Sequence, residues 1–374
     1  LNQSNASFSI REGEKCQRTR VESSFDGRRM LCLACSSPCK TTSDYHPRNH
    51  QLQIRGLRGF HHEPARIGLR MSDQLIGLVD NQLDNFHAKV YLAAVRGPLA
   101  PRGYKIVGAT ALDAAPSRNW ALDNGLNYFD SVAKLADHVD YFMVLAPANP
   151  EMHLEMCEVV LPFGKPTFVD KTFAPDFATA RKIFELADSF AVPIQTTSAL
   201  RSSTVQEELA KLDTPLKSMF ITSSGPTFAE YGIHPVELAV SCLGPDVSAV
   251  MRMGPKEHPQ VILKFSEGRT AIIDFNSRAE VPFTATLVSE SSSISVEVAG
   301  DRLFVDAAAS ILDFFDAGEA QIDRGESLVI RQILDLLGNN LVENEFHSLA
   351  TPENERHHLK APHWKQLKGK SLTQ

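Results

Sequence analysis

The 374-residue sequence predicts the α/β class. Its expected architecture is a parallel sheet with helices on both faces over residues 71–197, then an α+β domain with a large, mostly antiparallel open sheet over 198–345. Three observations lead there. From about residue 74 to 197, short apolar runs alternate with helical patterns, as in a parallel sheet covered on both faces. After about residue 213, short strands follow one another across tight turns, as in an antiparallel sheet. Hydrophobic residues at 43% and charged residues at 22% are ordinary globular values, and the length has room for about two domains.

The elements follow in order. QLIGLVD (74–80) is a first apolar strand. NFHAKVYLAAV (85–95) has helical spacing, with Phe86, Val90, Ala93 and Ala94 as its expected apolar face. YKIVGATAL (104–112) is a second strand and SVAKLAD (131–137) a short helix. YFMVLAPA (141–148) is a strand, MHLEMCEVVL (152–161) a helix and PTFVD (166–170) a strand. FATARKIFELADSF (177–190) is a helix with Phe177, Ala180, Phe184 and Ala187 on one face, and VPIQTT (192–197) is the last parallel strand. Near-continuous apolar strands of this kind are buried on both sides. LKSMFITSSG, VSAVMRMG, QVILKFSEG, RTAIIDFN, FTATLVSE and SISVEVAG then supply the second sheet. In the last of these Ile294, Val296 and Val298 point one way, Ser295 and Glu297 the other. AAASILDFFDAG (307–318) and ESLVIRQILDLLG (326–338) are helices expected to close the second domain. A half-apolar sheet covered on one side only is expected to self-associate as a homodimer or homotetramer through its other face.

The ends differ from this body. Residues 1–70 hold 12 Lys and Arg against 6 Asp and Glu, and four of the six cysteines: Cys16, Cys32, Cys35 and Cys39. They lack a sustained period and are expected to be a poorly ordered extension, or not native coding sequence. A zinc or iron–sulfur site at CLACSSPC with Cys16 lacks the paired CxxC spacing. A twin-arginine signal at RRMLCLAC has too short an apolar run, Met30 to Cys35. No metal is expected. The polar tail, 346–374, carries scattered histidines at 357, 358 and 363 and reads as solvated. A net charge of -7 gives no sign of a nucleic-acid or anionic-membrane partner, and no apolar run approaches the roughly 20 residues that span a bilayer. Two scattered cysteines in the body, Cys157 and Cys242, fit a reducing cytoplasm.

Two motifs carry chemistry. Asp170 and Lys171 end a parallel strand, where open α/β sheets bind their ligands. On spacing alone, a solvated strand-end lysine paired with Asp170 is the simpler reading. Glu230 and His234 lie four residues apart at a helix start, where a carboxylate can hold an imidazole tautomer; a locally capped histidine is the simpler reading there.

Together the motifs resemble the Gfo/Idh/MocA oxidoreductases, the glucose–fructose oxidoreductase and inositol dehydrogenase group. Asp170-Lys171-Thr172 looks like that family's Glu-Lys-Pro, and GKPTFVDKTFAPDFATARKIFELADSFAVPI (164–194) follows its strand–motif–helix–strand order. EYGIH (230–234) looks like its Asp-x-Gly-x-His. APANPEMH (146–153) resembles its strand-end loop, and DFFDAGEAQIDRGESLVIRQILDLL (313–337) its closing helices. The likeness runs over about 74–338. It implies a Rossmann domain binding NAD or NADP, and hydride transfer between nicotinamide and a secondary hydroxyl of a sugar or cyclitol. By that pattern Lys171 is the acid/base, His234 binds or relays to the same hydroxyl, and Glu230 stands for the family's aspartate. Asp80, Asn81, Gln82, Thr110, Asp113, Ala146, Pro147 and Asp170 fall at cofactor positions, and Arg201 in TSALRSS (197–203) at the substrate side.

The departures are concentrated in the first turn. The family's Gly-x-Gly-x-x-Gly is absent from GLVDNQLDNFHA; the glycine positions fall on Asp80, Gln82 and about Asn85. Asp80 and Asp84 would repel phosphates that the helix N-terminus could still attract. Asp113 at the end of the second strand favours NAD, while Arg118 leaves NADP open. Two alternatives therefore accompany the dehydrogenase: a non-catalytic or regulatory binding protein on the same fold, and an NAD-using glycosidase.

Overall fold

The computed structural model describes residues 73–298, 300–338 and 343–349. The readings of residues 1–70, of the cysteine cluster and arginine pair there, and of the tail beyond residue 349 lie outside the described residues.

Six strands, β1 (Gln74–Asp80), β2 (Tyr104–Ala111), β3 (Asn127–Tyr128), β4 (Tyr141–Val144), β5 (Thr167–Val169) and β6 (Ile194–Thr196), form an all-parallel sheet in the order β3-β2-β1-β4-β5-β6. Ile76, Leu78, Phe142, Val144, Phe168 and Val169 are inaccessible, which is why these strands are apolar on both faces. The order reverses between β1 and β4. Successive connections leave in opposite directions there and open a crevice at the strands' carboxyl ends.

Local chemistry starts the helices. The side chains of Asn85, Ser131 and Asp176 cap α1 (Phe86–Arg96), α3 (Val132–Ala136) and α5 (Phe177–Ser189) by accepting from backbone N–H groups two or three residues into each helix. Between them lie α2 (Ala114–Asp123) and α4 (His153–Val160). The buried face of α1 is His87, Ala88, Tyr91, Leu92, Ala94 and Val95, while Phe86 is 58% exposed. Of the predicted stripe of Phe86, Val90, Ala93 and Ala94, only Ala94 belongs to that face. Two stripes at helical spacing coexist in this helix, and the larger Tyr91, which meets Phe168 edge-on, is the one buried. The helix α2 went unpredicted, because Pro, Ser, Arg and Asn interrupt its apolar pattern.

The second sheet has seven strands: β7 (Leu216–Ser224), β8 (Val247–Met253), β9 (Gln260–Phe265), β10 (Thr270–Asn276), β11 (Thr284–Ser289), β12 (Ser293–Glu297) and β13 (His347–Ser348). Their order is β12-β11-β7-β10-β9-β8-β13, antiparallel except where β10 pairs with β7. Residues His347–Ser348 thus belong to the sheet edge, not to a solvated tail. A two-residue strand carries no period by which sequence could reveal it. Met219, Ile221, Val261, Leu263, Ala271 and Ile273 face inward on a core shared with α8 (Ile233–Leu243) and α10 (Arg324–Leu337). Between the sheets the chain also forms α6 (Thr204–Ala210) and α7 (Phe228–Tyr231). Across the other face, aligned residues run Ser295, Thr286, Phe220, Ile272, Ile262, Met251, with Phe220 48% exposed.

The helix α9 (Leu303–Ala317) was expected to close the second sheet. It packs instead in the core of the first, where Ala307, Ile311, Leu312 and Phe314 meet residues of β1, α1 and β4. Arg102 and Tyr104 pair with Asp316 there. An apolar helical stripe states that a helix is covered, not by which sheet.

Candidate active site

The ends of β1, β4, β5 and β6 bring together residues far apart in the chain. Asp80, the last residue of β1, is 1% exposed. Its Oδ1 accepts from the N–H of Ala146 (3.0 Å) and of Gln82 (3.2 Å), and its Oδ2 from Asn85 Nδ2 (2.8 Å). Burial pushes its carboxyl up to about 7; the bonds from Asn85, Gln82 and Ala146 oppose that, and the charge of Asp170 adds to it. Ala146 lies just beyond β4 with φ 65°, a left-handed conformation rare for a non-glycine residue, and its N–H is turned onto Asp80. Leu83, fully buried, packs in the core of the first sheet, and its N–H donates to Ser117 Oγ at 3.1 Å.

Asp170 follows β5 and is inaccessible. One carboxylate oxygen lies 2.5 Å from His87 Nδ1 on α1; the other accepts from the N–H of Lys171 at 2.8 Å. Burial opposes its charge, yet His87, then Lys171 and His153, hold its carboxyl below the usual range. The peptide between Lys171 and Thr172 is cis. Lys171 is half-buried and donates from Nζ to the Pro147 carbonyl at 3.0 Å. Burial lowers its pKa against the opposing charges of Asp170 and Glu230. The carboxylate of Asp170 is thus engaged by His87 rather than by the ammonium. His153, wholly buried, joins the two loops by contacting the carbonyls of Leu145 and Phe173. A cleft beside Lys171 is lined also by Thr196, Ile233, Glu237, Ile330 and Arg331.

His234 sits in the first turn of α8. Its Nδ1 lies 3.0 Å from Ser198 Oγ, just beyond β6. The predicted partner was Glu230. That residue is exposed within the short helix α7, and only its charge reaches Lys171. Gly232, between the two helices, has no room for a side chain: a Cβ would stand 2.6 Å from the Phe228 carbonyl. Burial, then the charge of Lys171, pushes the imidazole down to about 3, so it is neutral.

Other sequence candidates are placed differently. Thr110 is buried inside β2, opposite Val79, rather than at its tip. Asp113 is exposed at the N-cap of α2, its N–H donating to the Asn81 carbonyl at 2.9 Å. Arg118 pairs with Asp130 at 2.5 Å. Arg201 does not stand free for a substrate: it is buried between Glu237 (2.8 Å) and Glu326 (2.6 Å), since a guanidinium at that depth requires carboxylate partners. His87, Ser198 and Glu237 escaped the sequence reading. His87 and Glu237 are polar residues on buried helix faces, which was the available signal; Ser198 had none.

The residues at the strand ends suit a dinucleotide on one condition. Ionised Asp80 occupies the turn that would meet the anionic pyrophosphate, and Asp80, Gln82 and Asn85 stand where glycines would let it approach. With its carboxyl lifted to about 7, Asp80 is mostly a neutral acid below that pH, and the repulsion is absent there.

The all-parallel sheet, with the crevice at its carboxyl strand ends, is a Rossmann-type dinucleotide-binding fold. Residues 76–197 match the model of GFO_IDH_MocA, the oxidoreductase family with NAD-binding Rossmann fold. Solved structures share the fold at low identity. GenD2 from gentamicin A biosynthesis, in complex with NAD, is 13% identical with a TM-score of 0.64, over 78% of this chain and 100% of that one. The dehydrogenase MviM from Clostridium difficile is 15% identical, TM-score 0.61, over 72% and 100%. KijD10, a 3-ketoreductase from Actinomadura kijaniata in complex with NADP and TDP-benzene, is 13% identical, TM-score 0.58, over 73% and 98%. No curated protein matches the chain. Among the described residues, no helix is long and apolar enough to cross a membrane.

Proposed function

We propose that the chain is an NAD(P)-dependent dehydrogenase acting on a secondary hydroxyl of a sugar or cyclitol. One observation carries the reading: a half-buried lysine of lowered pKa lines a cleft, its neighbouring carboxylate engaged elsewhere, and the lysine's charge reaches a neutral histidine in the first turn of α8. A hydride leaves an alcohol carbon readily only as the hydroxyl proton departs, and that requires a base tuned toward neutrality within hydrogen-bond reach. Lys171, in its neutral form, takes that proton in oxidation and returns it in reduction. The Pro147 carbonyl aims its Nζ. Asp170, held by His87, stays ionised without pairing directly to the ammonium, so its opposition to the lysine's lowered pKa is limited. His234 binds the reacting oxygen. When bound, the nicotinamide supplies or accepts the hydride. Asp80, Asn81, Gln82, Ala146 and Pro147 would hold the dinucleotide, with Asp113 at the ribose favouring NAD. The two described cysteines, Cys157 and Cys242, are buried and unpaired, which fits a reducing cytoplasm.

The test is a nicotinamide fluorescence titration followed by turnover on a panel of sugars and cyclitols. The turn at Asp80, Gln82 and Asn85, without glycines, favours the second reading, a binding protein on this fold. Absence of nicotinamide binding at millimolar concentration, for wild type and for Asp80→Gly, would establish that second reading instead.

A further inference from the structure

We propose that Ser198 is a positioning residue that fixes His234 in the tautomer with its proton on Nε2, so that His234 meets a substrate oxygen as a hydrogen-bond donor. The role toward substrate rests on the dehydrogenase reading above; the tautomer is a property of the protein alone.

The argument is one of donors and acceptors. A neutral imidazole has one N–H and one bare nitrogen. The 3.0 Å contact between Ser198 Oγ and His234 Nδ1 can run either way. Were Nδ1 to donate, the hydroxyl proton of Ser198 would need a second acceptor. Ser198 is inaccessible, and none is within reach of its Oγ among the described residues. A stranded buried donor is unfavourable, so the hydroxyl donates and Nδ1 accepts. The proton then sits on Nε2, which has no protein partner among the described residues, on a ring that keeps partial exposure.

The serine is itself held from several directions. Its N–H donates to Glu237 Oε2 at 2.8 Å, and Thr197 Oγ1 donates to Glu237 Oε1 at 3.0 Å. Arg201 Nε anchors the same Oε1 at 2.8 Å. Glu237 is three residues from His234 on α8, so one helix face grips both the backbone and the hydroxyl of Ser198. The groups whose charge bears on the imidazole are Lys171, His87 and Asp170. Being neutral, with its only proton on Nε2, His234 cannot accept the substrate's proton there, which leaves that step to Lys171.

The experiment reads the His234 ring nitrogens by long-range proton–nitrogen NMR on histidine-labelled protein without cofactor, assigned by His234→Gln. The expected result is a bare Nδ1 and a protonated Nε2. In Ser198→Ala the two tautomers should mix, and Ser198→Thr should restore the single one. Turnover of Ser198→Ala should fall by roughly tenfold, the worth of about one hydrogen bond. A protonated Nδ1 in wild type, or a tautomer balance that Ser198→Ala leaves unchanged, overturns the proposal. Failure of every alcohol to reduce nicotinamide would refute the dehydrogenase reading and leave the tautomer result standing.

Discussion

His87 Nδ1 and Asp170 Oδ2 lie 2.5 Å apart, joining the first helix to the end of the fifth strand across 83 residues of sequence. The pair decides what Lys171 feels. Held by His87 and by the backbone N–H of Lys171, the inaccessible carboxylate does not pair with the lysine's ammonium. In His87→Ala the carboxylate is freed to approach Lys171, whose pKa should rise toward that of an exposed lysine. The acid-side limb that Lys171 sets on the pH profile of alcohol oxidation should therefore move to higher pH. A stranded buried carboxylate should also lower stability by about 1–3 kcal/mol. An unmoved profile in a folded variant would show that the pair does not tune Lys171.

Asp80 should make dinucleotide binding depend on pH. Its carboxyl is neutral below about 7 and negative above. Affinity for NAD or NADP should accordingly fall as pH rises through about 7, by about tenfold per pH unit if only the acid form binds. Asp80→Asn should flatten that dependence, and Asp80→Gly should tighten binding above neutrality. The same raised pKa means that the folded state binds this proton more tightly than the unfolded chain. Stability from Asp80 is therefore greatest at low pH and declines from about pH 4 to 7, a decline that Asp80→Asn should lack. Titration by fluorescence and melting across pH check both.

Arg201→Met should act through stability. Removing the guanidinium leaves Glu237 and Glu326 buried without a cationic partner, and breaking such a triad costs about 3–5 kcal/mol. Thermal melting should show a loss of several degrees. A folded variant of unchanged melting temperature with a raised KM would instead restore Arg201 to the substrate side.

These relationships mark where sequence reading succeeds and stops. Alternating strands and helices made the parallel sheet legible, because burial on both faces leaves an unmistakable apolar run. Lys171 and His234 were singled out through their motifs and through the rule that strand ends face ligands, and the fold brings them close enough for the charge of one to reach the other. Ser198 was not, since a serine after a strand has many uses and only the fold brings it to His234, 36 residues away. Glu230 misled for a related reason. Helical spacing put it on the face of His234, but Glu230 is exposed and the partner that meets His234 is Ser198. Arg201 misled because sequence shows a charge and not the two carboxylates that bury it.

The outer face of the second sheet supports a proposal about assembly. Phe220, Ile272, Ile262 and Met251 form an aligned apolar row on the side away from α8 and α10. Sedimentation of wild type should show a dimer or tetramer at micromolar concentration, and Phe220→Glu should shift it toward monomer with the fold retained. A wild type that sediments only as monomer would contradict this.

The central claim is that Lys171 exchanges the proton of a substrate hydroxyl. The most direct test compares wild type and Lys171→Ala for turnover on a confirmed sugar or cyclitol, with dinucleotide affinity measured in parallel. Turnover should fall by about a hundredfold or more, the usual range for a general acid/base, while affinity changes little because Lys171 acts on the hydroxyl. Full turnover in Lys171→Ala would contradict the mechanism.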